Sequence, residues 1–165
     1  MARPSRIQIQ IHDGFRDDLL PYLREIILNA STAAPSAPTL NRGGWKSDER
    51  FLARPDPAIR ALRDDLRERF LIGHLTGRNP IGWAMINRLG SHHKRHQHSG
   101  SLLSGVYFVD GGETPVAPLV VEANGEEFAV DPTPGRLVMF PGPTWHRVPP
   151  YQGQAPRISI AFDVR

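Results

Sequence analysis

Histidines cluster in two places along the chain, and their spacing is suited to holding a metal ion. Four of the seven lie between Ser91 and His98, and another is His146. His96 and His98 are two residues apart, so in an extended chain both side chains point to the same face. Imidazole suits iron, copper, nickel or zinc. We therefore predict a metal site built from His96, His98 and His146, in which three protein ligands leave coordination positions open.

A solvated loop is the alternative interpretation of the first cluster, because its basic side chains could simply contact water or anions. Within the cluster, His92 and His93 are adjacent in the sequence and would point to opposite faces of a strand. We therefore expect neither of them to be a ligand.

A buried arginine is predicted beside the metal site. Residues 157–162 read Arg-Ile-Ser-Ile-Ala-Phe, and their alternation is typical of a strand. If the apolar face packs against helices or a second sheet, Arg157 and Ser159 point inward, where a guanidinium needs a partner. Its planar fork binds a carboxylate through two hydrogen bonds, and a neighbouring hydroxyl can add a third. An arginine in a surface ion pair on an edge strand is the alternative.

Alternation of period two dominates the C-terminal half, which contains both groups of candidate residues. Seven short segments have the pattern of strands, and turns rich in glycine and proline separate them. They are residues 81–87, 103–109, 118–123, 127–131, 136–140, 145–148 and 157–164. Near-even spacing of this kind favours a β-sandwich or a jelly roll.

The N-terminal part combines one strand with two helices. Arg6–His12 alternates and predicts a half-buried strand with its isoleucines on one face. Apolar residues at helical spacing predict a first helix at about residues 16–29, and Asp56-Pro57 begins a second. The predicted fold class is α+β, mainly β: a jelly-roll core with N-terminal helices packed outside.

Length and composition restrict the class of protein. The 165 residues include no cysteine, which excludes disulfides, thiolate metal sites and cysteine nucleophiles. The net charge is only +3 and no run is strongly basic, so no nucleic-acid partner is expected. No apolar run approaches the roughly 20 residues of a membrane span, and no secretion signal begins the chain. We expect a cytoplasmic protein without a membrane partner, which could form a homodimer through its N-terminal strand.

The domain organisation expected from these patterns is simple. Residues 1–165 form a single domain, in which 1–80 supply a strand and helices and 81–165 supply the jelly-roll core with the metal site.

The C-terminal half resembles the iron(II)- and 2-oxoglutarate-dependent oxygenase superfamily, in particular a group of its members from bacteria and phages. The resemblance extends over about residues 44–162, and it is specific as a combination although each piece alone is weak. The pieces are Trp83-Ala-Met-Ile-Asn87, His96-Gln-His98, Ser104-Gly-Val-Tyr-Phe108, Gly135-Arg-Leu-Val-Met-Phe-Pro141, His146-Arg-Val-Pro-Pro150 and Arg157-Ile-Ser-Ile-Ala-Phe162. It implies a double-stranded β-helix.

The resemblance also implies a metal centre of unusual composition. His96 and His146 correspond to the two histidine ligands of Fe(II). Most members carry aspartate or glutamate at the position of His98. Either His98 is a third histidine ligand, as we favour, or water fills that position. A neutral ligand in place of a carboxylate leaves the metal centre more positive by one charge.

A cosubstrate site is implied next to the metal. Arg157 corresponds to the arginine that binds the distal carboxylate of 2-oxoglutarate, and Ser159 assists it. Asn87 and Tyr107 are expected to be inward polar residues near the cosubstrate.

The activity implied is that of a dioxygenase that uses Fe(II), 2-oxoglutarate and O2 to hydroxylate an unactivated carbon of an amino acid, peptide or small metabolite. One alternative is a cupin-type metalloenzyme with three histidines, a dioxygenase or isomerase that does not use 2-oxoglutarate; it leaves Arg157 without a task. Another is a non-enzymatic metal-binding jelly-roll module. That module would have a closed coordination shell and no cavity beside Arg157.

Overall fold

Strands make up most of the ordered elements of the chain. The computed structural model describes residues 8–39, 41–70 and 75–165. In chain order the strands are β1 (Gln10–His12), β2 (Asn41–Arg42), β3 (Trp45–Lys46), β4 (Ile81–Asn87), β5 (His92–His96), β6 (Leu103–Asp110), β7 (Leu119–Ala123), β8 (Glu126–Val130), β9 (Leu137–Pro141), β10 (His146–Val148) and β11 (Arg157–Val164).

Two antiparallel sheets lie face to face. The larger has the order β1-β9-β6-β11-β4-β3, and the smaller has the order β2-β5-β10-β7-β8. Apolar side chains from both sheets form a common buried cluster between them, including Phe108 and Phe140 from the larger sheet and Val121 and Val148 from the smaller. This arrangement confirms the predicted jelly roll in a chain that is mainly β.

Two helices, α1 (Leu20–Ala33) and α2 (Pro57–Phe70), cover the outer face of the larger sheet. Each contributes an apolar stripe to a second buried cluster, which also contains Ile158, Ile160 and Phe162 of β11. The predicted helices outside the core are therefore confirmed. The first helix begins later than predicted, because residues 17–19 form a 3-10 turn and Pro21 occupies the first turn of α1.

Successive side chains of the central strand β11 point alternately to the helices and to the space between the sheets. Ile158, Ile160 and Phe162 point to the helices, whereas Arg157, Ser159, Ala161 and Asp163 line the space between the sheets. Because a strand sends successive side chains to opposite faces, the same eight residues serve an apolar core and a polar pocket.

The N-terminal part enters both sheets. β1 pairs with β9, β2 pairs with β5, and β3 pairs with β4. The short strands β2 and β3 were not predicted, because two residues are too few to show alternation. The predicted division of the domain at residue 81 stays a prediction.

Part of the predicted N-terminal strand, residues 6 and 7, lies outside the described residues. Its described part is shorter and more exposed than predicted, since Ile11 is 47% exposed. The pairing of this strand across a homodimer stays a prediction. In the described part of the chain, no helix is both long and apolar enough to cross a membrane.

The packing of β11 against the helices predicts a large contribution to stability. Ile160→Ala leaves a cavity at a fully buried position, and we expect it to lower the free energy of unfolding by about 2–5 kcal/mol. The matched control, Ile11→Ala on the exposed side of β1, should cost about 0.5 kcal/mol or less. Urea denaturation followed by circular dichroism measures both, and equal losses would contradict the assignment of the core.

Candidate active site

A cavity of about 650 Å³ opens between the two sheets, and the candidate residues of both groups line it. His96, His98 and His146 form one part of the wall, and Arg157 and Ser159 form another. The structure therefore brings together two sets of side chains that are separated by as many as 63 residues in the sequence.

The three histidines converge on a single point. Their ring centroids are 4.2 Å apart for His96 and His146, and 5.2 Å apart for each pair that includes His98. One ring nitrogen from each lies within 4.8 Å of the others. This spacing is compatible with one cation bound by three imidazoles.

Hydrogen bonds orient each ring so that Nδ1 points away from the cluster. His96 Nδ1 lies 2.6 Å from the carbonyl oxygen of Lys94, and His146 Nδ1 lies 2.9 Å from that of Thr144. Because a carbonyl oxygen can only accept, Nδ1 carries the proton in both rings and Nε2 is left with its lone pair. Neutral imidazole with a free Nε2 is the form that binds metals.

Strand pairing accounts for the position of two of the rings. His146 of β10 pairs directly with His96 of β5, so both side chains emerge from the same face of the smaller sheet. His98 follows the end of β5 and is fixed through its backbone, because its N–H donates to the carbonyl of Gly142 at 2.9 Å. A side chain at position 142 would collide with the backbone of Ser101, so the close approach requires glycine.

A bulge in β5 brings a fourth histidine, His93, to the cavity, although His93 is not part of the converging group of His96, His98 and His146. His146 pairs with His96 and Val148 pairs with His93, so three steps along β5 match two steps along β10. The extra residue puts His93 on the same face as His96. His93 lines the cavity, and its Nε2 lies 3.1 Å from the side-chain oxygen of Asn87.

Arg157 is almost completely buried, with 1% of its surface exposed. Its Nε donates to the carbonyl of Ala117 at 2.9 Å, and its guanidinium lies 5.3 Å from the ring of Phe108. No carboxylate of the described residues forms an ion pair with it. Ser159, on the same face of β11, has a buried hydroxyl with no hydrogen-bond partner in the described chain. Both groups are arranged to receive an anionic ligand.

Two further candidates lie outside the cavity lining. Asn87 pairs with Arg157 in the sheet and lies behind His93, so it contacts the cavity only through that ring. Tyr107 lies on the opposite side of the sheet, among the residues that pack against the helices, and its hydroxyl donates to the carbonyl of Phe15. The expectation that Tyr107 lies near the cosubstrate is corrected, because its neighbours Val106 and Phe108 take the inward positions of β6.

Burial keeps the imidazoles of His96 and His146 uncharged at neutral pH. It lowers the pKa of His146 to about 4, and it also lowers the pKa of His96, although the hydrogen bond to Lys94 opposes the shift. For Arg157, burial lowers the pKa to about 10, so the guanidinium keeps its proton at neutral pH. The cavity thus offers neutral nitrogen ligands and one fixed cation.

A carboxylate that the sequence analysis missed also lines the cavity. Asp163 is the last inward position of β11, and the residue is 2% exposed. Burial raises its pKa, but hydrogen bonds from His98, Ser104 and Ser101 outweigh that effect and keep the pKa below its ordinary value. The alternation that identified Arg157 and Ser159 continues to Asp163, so the signal was present in the sequence.

Residues 112–163 match a family model described as "Putative 2OG-Fe(II) oxygenase". The match includes His146, Arg157, Ser159 and Asp163, and it begins after His96 and His98. No curated protein sequence matches the chain at a significant level.

Solved oxygenase structures share the fold over nearly the whole chain. The prolyl-4-hydroxylase of Pseudomonas putida superposes with a TM-score of 0.69 at 20% identity, over 95% of this chain and 91% of that one. A prolyl hydroxylase of Trichoplax adhaerens gives a TM-score of 0.68 at 17% identity, over 94% and 82%. The viral collagen prolyl hydroxylase of Paramecium bursaria Chlorella virus-1 gives 0.68 at 12%, over 95% of both chains. These similarities confirm the predicted double-stranded β-helix.

Burial of His93 predicts that the metal-free protein loses stability in acid. Burial, followed by the charge of Arg157, lowers the pKa of His93 to about 3, whereas an unfolded histidine titrates near 6.5. The unfolded state therefore binds the proton first, so stability is present above pH 6.5 and is lost as the pH falls towards 3. Between pH 7 and pH 5 the loss from this group is roughly 2 kcal/mol.

Urea denaturation in the presence of a chelator measures this effect at each pH. His93→Gln removes the titrating ring, and we expect a shallower loss of stability between pH 7 and pH 5 than in the wild type. Identical slopes in the two proteins would contradict the assignment of His93 as a buried neutral base.

Proposed function

We propose that this chain, whose residues 112–163 match a 2OG-Fe(II) oxygenase family model, uses the cavity between its sheets as the active site of an iron(II)- and 2-oxoglutarate-dependent dioxygenase. One observation carries the assignment of the site. Three imidazoles converge in the same cavity as a buried guanidinium that has no anionic partner among the described residues.

The metal would be held by His96, His98 and His146 through Nε2. Two features of the chain support this role: a neutral ring at His96 and His146, and an acceptor bonded to Nδ1 of all three. Three protein ligands leave open positions for a chelating cosubstrate and O2. Bound Fe(II) supplies the activation of O2 that couples decarboxylation of 2-oxoglutarate to hydroxylation of the substrate.

Arg157 would bind the distal carboxylate of 2-oxoglutarate. Its buried guanidinium would gain two charge-assisted hydrogen bonds in a site from which water is excluded. The Ser159 hydroxyl, which has no partner in the described chain, would donate a third hydrogen bond to the same carboxylate. Since Nε of Arg157 is already bonded to Ala117, the guanidinium is fixed in orientation before the cosubstrate arrives.

The substrate would be a peptide or a small molecule that enters from the open side of the cavity. One neighbour in structure is a prolyl hydroxylase in complex with a peptide fragment, which supports this class of substrate. Lys46 and Glu49 line the cavity in this chain, with the Lys46 ammonium 4.7 Å from the ring centroid of Trp83. The reacting carbon would lie next to the metal, in the part of the cavity that the three rings enclose.

The two alternative functions differ from this proposal in what Arg157 does. A cupin-type enzyme without 2-oxoglutarate provides no anion for it, and a structural metal module requires no cavity beside it. Aerobic incubation with Fe(II) and 2-oxoglutarate distinguishes them, since only the dioxygenase forms succinate. Absence of both 2-oxoglutarate binding and succinate formation would contradict the proposed function.

Removal of the guanidinium should abolish cosubstrate binding. We expect Arg157→Ala to weaken 2-oxoglutarate binding by about 100-fold or more, because a buried carboxylate would lose its charge partner. Anaerobic titration of the Fe(II) protein, followed by its visible charge-transfer band, measures the affinity. Arg147→Ala is the matched control, because Arg147 pairs with Glu127 away from the cavity. Equal affinities in the two variants would overturn the role of Arg157.

Removal of the third ring should weaken the metal site. We expect His98→Ala to lower the affinity for Fe(II) by roughly an order of magnitude or more. His92→Ala is the control, because His92 is not part of the converging cluster. Anaerobic competition with a chelating dye measures both variants, and full affinity in His98→Ala would show that His98 is not a ligand.

A further inference from the structure

Asp163 makes an unusually direct contact with the histidine cluster. Both of its carboxylate oxygens lie 2.7 Å from Nδ1 of His98. The hydroxyl of Ser104 donates to the same carboxylate at 2.6 Å. A buried carboxylate that receives such bonds is ionised and fixed in place.

The histidine cluster itself excludes Asp163 from direct coordination in this arrangement. The converging group consists of His96, His98 and His146, and no carboxylate of the described residues joins it. The carboxylate bonds to Nδ1, so the full width of the imidazole ring separates it from Nε2. Asp163 therefore acts on a bound metal from behind that ring and not as a ligand.

The three rings differ in the acceptor that each one has. His96 and His146 donate to neutral backbone carbonyls two residues earlier in the chain, whereas His98 donates to a carboxylate. A carboxylate acceptor draws the Nδ1 proton towards itself and makes Nε2 a stronger donor to a metal. The one ring with this acceptor stands where most of the superfamily has a carboxylate ligand.

The surroundings of the pair hold it rigidly. Asp163 lies near the end of β11, an interior strand of the larger sheet that is paired on both sides there, opposite Ile81 and Ser104. The indole of Trp83 stacks on the His98 ring with a centroid distance of 5.8 Å and an interplanar angle of 20°. The ring is therefore held at its edge by the carboxylate and on its face by the indole.

We propose that Asp163 is a positioning residue of the metal site, which orients His98 and supplies through its imidazole the negative charge that a carboxylate ligand would otherwise bring. This inference rests on the proposed function, because it requires His98 to bind the metal. It explains how a site with three neutral ligands can hold a divalent cation without an acidic ligand.

Zinc affinity tests the inference without any turnover. We expect Asp163→Asn, which keeps the shape of the side chain, to bind Zn²⁺ about 10–100-fold more weakly than the wild type in competition with a chelating dye. Asp131→Asn is the control for the change in net charge, because Asp131 lies on an exposed turn. Its affinity should equal that of the wild type.

A double-mutant comparison separates an effect through His98 from a general one. In the His98→Ala background, Asp163→Asn should cause no further loss of Zn²⁺ affinity. The same loss in both backgrounds would overturn the proposal, as would equal affinity in Asp163→Asn and the wild type. Failure of the wild type itself to bind Zn²⁺ would instead contradict the metal site and with it the proposed function.

The wild-type protein alone provides a second test, which does not depend on the folding of a variant. In the zinc-loaded protein with ¹⁵N-labelled histidine, we expect the ring N–H proton of His98 at lower field than those of His96 and His146. Asp163→Asn should move it towards them. A His98 ring proton that resonates with the other two in the wild type would overturn the proposal.

Discussion

A guanidinium buried without an anion is the constraint on which the interior of this protein depends. Removing Arg157 from water is costly, and within the described chain one carbonyl and one aromatic face compensate for it only in part. The fold tolerates that cost because β11 pairs with β4 on one side and with β6 on the other and has an apolar core behind it. A bound carboxylate would remove the deficit, so binding and folding are linked through the same side chain.

The cavity is positively charged at one end and negatively charged at the other, because a single strand, β11, contributes both charged side chains. Along the inward face of β11 the residue types change from cationic Arg157 to anionic Asp163, with small side chains between them. Six residues of strand span roughly 20 Å, so the two charges lie at opposite ends. Burial is the main cause of the lowered pKa of both His93 and His146; the charge of Arg157 adds to the lowering at His93, whereas the charge of Asp163 opposes it at His146.

The two-residue alternation of side chains in a strand predicts much of the lining of this cavity, and departures from that alternation explain where the prediction failed. It correctly placed Arg157 and Ser159 on one face of β11. The two-residue spacing of His96 and His98 also predicted that both rings would lie close to His146, as they do in the structure. Alternation could not show that His93 lines the cavity, because a bulge breaks the two-residue period and no residue type marks the position of the bulge. The prediction that Tyr107 faces the cavity was wrong, because the Tyr107 hydroxyl donates to the carbonyl of Phe15 on the other side of the sheet. The residue pattern of β6 gives no sign of this hydrogen bond.

The bulge in β5 has a consequence for how this site can change over generations. Loss of one codon between His93 and His96 would leave His93 two residues before His96, and regular pairing would keep both imidazoles on the cavity face. A small length change in this polar tract would therefore remove the bulge without exchanging the inward imidazole for a different side chain. The lining of the cavity is in this sense protected against the loss of one residue at the bulge.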